Sequence, residues 1–239
     1  MRIVLKKAIF AAHILRKNLF RMNNKMKCGA TLLLLVFAVS TLVAQTYRVE
    51  IGNVQARQSG TNSSVNIFNG VRLGATAEFD LKYNFSFLTG ALYSVVYDSK
   101  VQRFGVSTDS VTYKTWGHYI DVPLRIQYNL KLKKDFKLFA FAGPNINFGL
   151  AQPQKIIPAL SDEMEKFTGI EKKEYYENDL YKMAKISRLN FQLGAGAGIK
   201  WKNYQLKGGY DFGINSINKV DSNRILRHSG WYVSLVYEF

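Results

Sequence analysis

Charged residues of both signs recur at every second position in several segments of the chain, and this spacing is the first clue to chemistry. A period of two places side chains on one face of a β-strand. Nine cations and seven anions share this face: Arg48, Arg72, Lys82, Arg125, Lys131, Lys137, Arg188, Lys200, Lys207, Glu50, Glu78, Asp80, Asp98, Asp121, Asp211 and Glu238. The two signs therefore nearly balance.

A balanced set of charges on the inner face of a closed sheet predicts an ion-pair network, because buried charges require partners. We expect such a network to plug the interior. Its predicted members are Arg72, Glu78, Asp80, Asp121, Arg125, Arg188, Lys200, Lys207, Asp211 and Glu238. The alternative is a narrow polar conduit for ions or protons.

Two histidines beyond residue 44 are the candidates for acid–base catalysis. His228 precedes Ser229, and a serine–histidine pair at the outer rim of a barrel could deacylate a lipid. Nothing in the sequence places an orienting acid beside either His118 or His228. We therefore predict that both are rim histidines at the level of the lipid headgroups, and that the chain has no catalytic residue.

Metal and cofactor sites are weakly indicated. Residues 151–186 contain six basic residues and seven acidic ones: Asp162, Glu163, Glu165, Glu171, Glu174, Glu177 and Asp179. Because the charges nearly cancel, we favour a solvated charged loop over a cation site. The only cysteine, Cys28, precedes an apolar run, so the chain after it has no disulfide and no thiolate site. The glycines at 194, 196 and 198 alternate on a strand without a following helix, unlike a dinucleotide fingerprint. We predict no metal and no cofactor.

Predicted strands position the charged face. Apolar and polar residues alternate most clearly at 71–83, 120–131 and 188–201, and again in the last nine residues, which end on Phe239. Period two over such lengths exceeds an ordinary soluble strand. With weaker segments included, the pattern predicts eight strands, at about 47–57, 70–83, 85–98, 115–131, 136–150, 187–201, 204–216 and 230–239.

Long and short connections alternate between these strands. The long connections are 58–69, 99–114, 151–186 and 217–229, and short turns lie at Asn84, 133–135 and 202–203. This alternation is typical of outer-membrane barrels. An even strand count places both termini on the short-turn side, which we expect to be periplasmic. Within 151–186, Ser161 could cap a short helix that ends before Gly169, or the segment could be a partly ordered surface loop.

The first 44 residues resemble a secretory leader. They contain eight basic residues and no acids, and residues 30–43 are almost wholly apolar before Ala44 and Gln45. We predict a signal peptide at 1–44, with either an extended basic n-region or, as we favour, a true start at Met22 or Met26. Without it the formal charge of +16 falls to +8, since 25 basic and 17 acidic residues remain. No nucleic-acid-binding motif is present, so we predict no nucleic-acid partner.

The apolar face of the strands is predicted to point outward. A soluble lipocalin-like barrel would turn this face inward. However, the polar face carries glycines 194, 196 and 198, which suit a crowded lumen. Aromatic residues also collect near strand ends on the apolar face, as in interfacial girdles: Tyr83, Phe85, Tyr97, Tyr128, Trp201, Tyr204, Trp231 and Phe239. The fold predicted for 45–239 is therefore all-β, an eight-stranded antiparallel up-and-down transmembrane barrel. Pro123 and Pro144 lie inside strands, so we expect bulges or bends there.

Several motifs resemble the PorT-like barrels of Bacteroidota. They are His118 to Leu124, with a Tyr-x-acid-x-Pro pattern, Phe141-Ala142-Gly143-Pro144, the alternating glycines at 194–198, and the closing Tyr237-Glu238-Phe239. Asp121 stands where Glu is commoner in that family. The resemblance covers residues 45–239 and implies an outer-membrane β-barrel. The member after which the family is named is linked to type IX secretion, while most members have no assigned role.

The functional expectation is a small non-enzymatic outer-membrane barrel with a structural role or a binding role of its loops. The alternatives are an accessory part of a secretion or envelope complex and, less favoured, a lipid A-modifying enzyme. Outer-membrane lipid and the barrel-insertion machinery are the expected partners, with a protein partner at 151–186. Three basic residues of loop 217–229 are predicted to contact lipopolysaccharide: Lys219, Arg224 and Arg227. The alternative is a solvated loop.

Overall fold

The computed structural model describes residues 46–60, 65–103, 109–169, 171, 173–177, 179–183, 186–220 and 225–239. The chain divides into two units, residues 1–44 and 45–239, and only the second is described. The signal peptide and the alternative starts at Met22 and Met26 therefore lie outside the described residues and stay predictions. Among the described residues, no helix has the length and apolar character needed to cross a membrane.

The described residues form ten strands and one helix: β1 (Thr46–Gly60), β2 (Asn66–Asp80), β3 (Phe85–Arg103), β4 (Ser110–Lys133), β5 (Phe136–Ala151), β6 (Gln154–Ala159), α1 (Asp162–Thr168), β7 (Tyr175–Glu177), β8 (Leu189–Trp201), β9 (Tyr204–Gly213) and β10 (Leu226–Glu238). Eight strands close a ring in the order β3-β2-β1-β10-β9-β8-β5-β4, because β3 also pairs with β4. Every pairing is antiparallel. The predicted eight-stranded barrel is confirmed.

The two additional strands lie in the longest connection. β6 pairs with residues 110–115 of β4, and β7 pairs with β6. This pairing explains why β4 begins five residues earlier than its predicted start at 115. The predicted helix is also present: the Gly169 N–H bonds to the Glu165 carbonyl, and Gly169 has a φ of 68°, which suits glycine at a helix end.

The short turns and both chain ends meet at one end of the barrel. Arg48 pairs with Glu238 at this end, and the three short connections lie at 81–84, 134–135 and 202–203. Tyr83 and Asn84 have φ values of 60° and 64°, so β2 ends at Asp80, before the predicted boundary. The predicted grouping of termini and short turns is confirmed. Their periplasmic placement stays a prediction.

Side chains alternate across the barrel wall as predicted. Leu73, Leu193 and Leu235 are 54%, 55% and 52% exposed on the outside, whereas Arg72 and Gln192 are buried inside. All eight aromatic residues of the predicted girdles are exposed: Tyr83, Phe85, Tyr97, Tyr128, Trp201, Tyr204, Trp231 and Phe239. Since apolar side chains face outward and charges face inward, the wall has the polarity of a membrane barrel.

The bulges expected at the two prolines are not found in β4 and β5. Pro123 pairs with Asn145 of β5, Pro144 pairs with Leu193 of β8, and the register continues unshifted past both residues. Each proline instead interrupts the ladder with its other neighbouring strand, which is β3 for Pro123 and β4 for Pro144. Register shifts in β4 and β5 lie elsewhere, at His118/Tyr119 and Lys131/Lys133.

Candidate functional site: the filled lumen

The lumen near the short-turn end is closed by an ion-pair layer. The Arg48 guanidinium contacts the carboxylates of Glu78 and Glu238, with its Nε 3.3 Å from Glu238 Oε2. The Lys200 ammonium also pairs with Glu238. Gln205 Nε2 donates to the same carboxylate at 2.7 Å. Strands β1, β2, β8, β9 and β10 thus meet through these four charged side chains and the amide of Gln205.

A second layer lies above the first. Glu50, whose side chain is 0% exposed, lies 2.6 Å from Lys207 Nζ and 3.4 Å from Arg72 Nε. Arg72 also stacks over the Tyr232 ring, 4.2 Å from its centroid. One anion therefore serves two buried cations, which makes Glu50 the electrostatic centre of this layer.

Arg125 connects the ion-pair network with the interruption of the β4–β5 ladder next to Pro144. Its guanidinium pairs with the Asp211 carboxylate and donates to the Gly143 carbonyl, which lies where the β4–β5 ladder is interrupted next to Pro144. Gly143 has a φ of 151°, a conformation that favours glycine. The side chain thus supplies a partner to a carbonyl that the interrupted ladder leaves available.

Asp121 is held by neutral donors instead of a cation. Asn145 Nδ2 donates to it at 2.8 Å, Asn147 Nδ2 at 2.9 Å and Ser94 Oγ at 3.4 Å. Asn145 also donates to Gln192 Oε1 at 2.6 Å. A collar of amide side chains therefore crosses the lumen at this level.

Aromatic rings and glycines fill the wall opposite these layers. A Cβ atom built on Gly196 would lie 2.4 Å from Phe141 Cζ, and one on Gly198 would lie 2.4 Å from Phe139 Cζ. A Cβ on Gly194 would lie 1.8 Å from Asp211 Oδ1. The alternating glycines leave room for side chains that extend across the lumen, as the sequence predicted.

The long connection closes the other end of the lumen. Tyr181 and Ile186 are buried against a cluster of lumenal side chains that includes Tyr119, Phe68 and Val96. Burial raises the pKa of Tyr181, so its hydroxyl stays neutral. This apolar layer lies above the charged layers and covers them.

An ion pair holds this closure in place. Arg188 Nη2 lies 3.3 Å from Asp179 Oδ2, and its guanidinium stacks over the Tyr181 ring at 5.0 Å. Asp179 Oδ1 accepts from the Gln152 N–H at 2.8 Å, and the Leu180 N–H donates to the Gln152 carbonyl at 3.0 Å. The segment 179–183 is therefore tied to both ends of the connection.

The cavities at the level of the charged layers are small. One cavity beside Asp121 and His228 has about 30 Å³ of free volume, and one beside Arg125 and Phe141 has about 10 Å³. Such volumes hold roughly one or two water molecules. A larger cavity of about 170 Å³ lies towards the long-loop end, where Gln58, Phe68, Thr115 and Gln152 line it. The interior of an eight-stranded barrel is just wide enough for side chains to fill, and here they fill it at the level of the charged layers.

Eight of the predicted network residues lie together in the lumen: Arg72, Glu78, Asp121, Arg125, Lys200, Lys207, Asp211 and Glu238. Asp80 is exposed at the short-turn end, so it stands outside the ion-pair layers. Arg188 belongs to the closure at the other end. Of the remaining charges assigned inward, Arg48 and Glu50 are buried, Lys137 and Asp98 are half-buried, and Lys82 and Lys131 are exposed.

The histidines occupy different environments. His118 faces outward on β4, with its Nδ1 2.7 Å from the Tyr93 hydroxyl. His228 is buried inside the barrel, where its ring packs 5.0 Å from Tyr119 and its Nδ1 lies 3.4 Å from Gln58 Nε2. The prediction of a headgroup-level rim residue is wrong for His228, because its register with Gln58 turns it inward.

The other predicted sites are placed as follows. Lys219 and Arg227 are exposed, and Arg224 lies outside the described residues. In the described part of the acidic connection, Lys155 Nζ lies 2.6 Å from Glu174 Oε2, and this contact raises the pKa of Lys155. Among the described residues, no group of three or more His, Cys, Asp or Glu side chains could hold a metal ion.

Comparisons with known proteins give one family match. The model of the outer membrane protein beta-barrel domain matches residues 40–219. A comparison with curated proteins found no match.

Three solved structures show the range of similarity. The Neisserial surface protein A has 11% identity and a TM-score of 0.40, covering 81% of this chain and 97% of its own. Ail, the attachment invasion locus protein of Yersinia pestis, has 11% identity and a TM-score of 0.36, with coverages of 81% and 98%. The outer membrane enzyme PagL has 13% identity and a TM-score of 0.36, with coverages of 79% and 98%. Similarity of this size says nothing about the activity of the chain.

Proposed function

The chain belongs to the family of the outer membrane protein beta-barrel domain, and from this premise we propose that it is a sealed barrel without enzymatic activity. It lies in the bacterial outer membrane among the lipids. In this proposal the barrel anchors the long connections at the cell surface, where they have a structural or binding role, and both termini are periplasmic. The observation that carries the proposal is the filled lumen, closed by residues 179–183 and 186–188.

The ion-pair layers support a plug over a conduit. Four buried cations and four buried anions share the lumen: Arg48, Arg72, Arg125, Lys207, Glu50, Glu78, Asp121 and Asp211. Equal numbers leave no net charge that would attract one sign of ion. At the level of these layers the cavities of about 30 and 10 Å³ are also too small for a water-filled path, so the larger cavity of about 170 Å³ at the long-loop end has no open connection to the short-turn end in this proposal.

The environments of the histidines support a non-enzymatic role. In the described part of the chain, neither His118 nor His228 contacts a serine hydroxyl or a carboxylate, whereas a nucleophile–base pair requires hydrogen-bond reach. Mass spectrometry of lipid A from cells that express the wild type, His118→Ala or His228→Ala tests this point. Identical lipid A in all three strains and in the deletion strain is expected. Loss of a lipid A species in one histidine variant would contradict the proposal.

Labelling with a membrane-impermeant maleimide tests the surface display of the connections. The predicted leader contains the only native cysteine, so single substitutions give single targets. Phe167→Cys, at an 85% exposed position in α1, should react in intact cells. Lys134→Cys, in a short turn, should react only after the outer membrane is permeabilised. The reverse pattern would overturn the proposed orientation.

A role in a secretion or envelope complex is the second candidate, supported by the PorT-like sequence around Tyr119-Ile120-Asp121-Val122-Pro123. The structure gives this motif a lumenal task, since Asp121 is the acceptor of the amide collar. Affinity purification from detergent-solubilised membranes separates the two candidates. Stoichiometric recovery of the same envelope proteins with the wild type, and their loss when α1 is replaced by a Gly-Ser linker, would favour the complex. Recovery of the barrel alone favours the first candidate.

A further inference from the structure

Two arginines face outward at the long-loop end of the barrel. Arg57 of β1 pairs directly with Ser229 of β10, and Ser59 pairs with Arg227. The two arginines are therefore diagonal neighbours on the outer face, at a spacing of about 7–8 Å. Both side chains are exposed. In the part of the chain that the structure describes, neither guanidinium pairs with a carboxylate. The Arg227 guanidinium lies over the Phe212 ring, 5.4 Å from its centroid.

Their height on the wall places them at a membrane boundary. Arg57 lies ten residues after Tyr47 on β1, and Arg227 lies ten residues before Tyr237 on β10. Ten residues span about 33 Å of strand, or about 25 Å along the membrane normal at a tilt of roughly 40°. This height equals the apolar band of an outer-membrane barrel. If Tyr47 and Tyr237 mark the boundary of the apolar band at the short-turn end, both arginines lie at its other boundary, where the lipid headgroups begin.

The wall just below the arginines has an interfacial character. Trp231 Nε1 donates to Gln55 Oε1 at 2.8 Å, and Gln55 Nε2 donates to Asn69 Oδ1 at 2.8 Å. This ladder crosses the outer face of β10, β1 and β2 and satisfies polar groups that would be costly within the hydrocarbon layer. Below it Asn53 is the next outward residue of β1, and beyond Asn53 the wall is apolar, with Ile51 and Leu235 exposed.

A groove connects the arginines with aromatic side chains. It has about 470 Å³ of free volume and is lined by Arg57, Arg227, Ser59, Tyr210, Phe212 and Ile225. Its upper part offers two guanidiniums, which bind phosphate in bidentate geometry. Its lower part offers aromatic surface that continues into the apolar wall. A ligand that matches both parts has an anionic head and an apolar body.

We propose that this groove binds the phosphorylated headgroup of an outer-leaflet lipid, with Arg57 and Arg227 holding the phosphate. The site differs from the predicted lipopolysaccharide contacts in loop 217–229, because Arg57 and the aromatic residues lie on β1 and β9. The inference rests on the proposed placement of the long-loop end at the outer leaflet. It assigns the lipid a defined position beside β1, β9 and β10.

Native mass spectrometry of the detergent-solubilised full barrel tests the inference, with diphosphorylated lipid A as the probe. Each arginine to alanine change should weaken binding roughly tenfold or more, since it removes charge-assisted hydrogen bonds to the phosphate. Arg57→Lys should retain part of the affinity, because it keeps the charge but loses the fork. Arg103→Ala/Lys134→Ala removes two exposed cations elsewhere and should bind as the wild type does.

Two further arms identify the ligand. Lipid A whose phosphates have been removed should bind no better to the wild type than to Arg57→Ala/Arg227→Ala. Inorganic phosphate at the concentration of the lipid should not displace it. Equal binding by the double variant and the wild type would overturn the inference, and so would displacement by inorganic phosphate, which would make this a free-phosphate site.

Folding and topology are separated from binding. Heat-modifiable migration on a gel checks that every variant is folded, which is expected because both arginines lie on the surface. The assay uses purified protein, so it does not depend on the direction of insertion. If binding fails but Phe167→Cys is labelled in intact cells, the lipid site is wrong and the sealed-barrel proposal stands. If binding succeeds and the labelling pattern is reversed, the proposed orientation is wrong.

Discussion

Removing the negative charge of Glu50 should destabilise the barrel more than removing any surface charge. Glu50→Gln keeps the shape of the side chain but leaves Lys207 and Arg72 without their shared anion. At an effective dielectric constant of about 20, attraction between unit charges at 2.6 Å and 3.4 Å is about 6 and 5 kcal/mol. Most of this attraction is offset in the wild type by desolvation of the carboxylate. Loss of one partner of a buried ion pair costs about 3–5 kcal/mol net, which is the expected decrease in unfolding free energy.

Reversible unfolding in urea, followed by tryptophan fluorescence in lipid vesicles, measures this decrease. With an m value of about 2 kcal/mol/M, the midpoint should fall by roughly 2 M. Glu163→Gln, on an exposed position of α1, is the matched control and should change the unfolding free energy by less than about 0.5 kcal/mol.

A second substitution separates charge from packing. Glu50→Gln/Lys207→Met restores equal numbers of buried cations and anions, so it should recover about 1–3 kcal/mol relative to Glu50→Gln. If Glu50→Gln is as stable as the wild type, the lumenal network does not hold the barrel together. If the double variant is no more stable than the single one, the loss came from shape and the electrostatic reasoning is wrong.

Three further predictions concern the outer face, the lumenal glycines and processing. Leu193→Arg should lower the unfolding free energy by about 2–4 kcal/mol in vesicles, whereas Val101→Arg, beyond the girdles, should have little effect. Equal stability of the two variants would show that Leu193 does not contact lipid. Gly196→Ala should lower the unfolding free energy by about 1–3 kcal/mol because its Cβ would meet Phe141 Cζ. Ala197→Val, on the outer face of the same strand, should be tolerated, and similar unfolding midpoints for the two variants would refute the crowding argument. N-terminal peptide mapping of membrane protein should find cleavage after Ala44, and a mature product that retains residues 32–39 would disprove the leader.

The alternation of residue types was sufficient to predict the strands and their faces. The period of each strand puts Leu73, Leu193 and Leu235 on the apolar face, and the aromatic residues near strand ends, together with the glycines of the polar face, predicted that this face points outward, where the three leucines are exposed. The glycines at 194, 196 and 198 carried the further information that the polar face is crowded. These features are local, so a single sequence contains them.

The partners within the lumen could not be predicted from the sequence. Asn145, Asn147 and Gln192 lie in predicted strands, but only the register of β4, β5 and β8 brings the two asparagines to Asp121 and Gln192 to Asn145. The inward position of His228 likewise depends on its pairing with Gln58. Partner choice is a property of several strands together, whereas alternation describes one strand at a time.

The closure of the mouth and the behaviour of the prolines also depend on distant contacts. Tyr181 looked like a loop residue and becomes buried because Arg188 and Asp179 hold it over Tyr119. The interruption next to Pro144 needs no bulge, since Arg125 donates to the Gly143 carbonyl in the gap. In each case a side chain far along the sequence supplies the missing interaction.

Conductance of the purified barrel in a planar lipid bilayer tests the central claim most directly. The ion-pair layers, the amide collar and the closure by residues 179–183 and 186–188 predict that the wild type produces no channel openings in potassium chloride under either polarity. A bacterial porin reconstituted in the same bilayers shows that openings would be detected. Reproducible openings of the wild-type barrel would show that the lumen conducts, and would contradict the account of a sealed barrel.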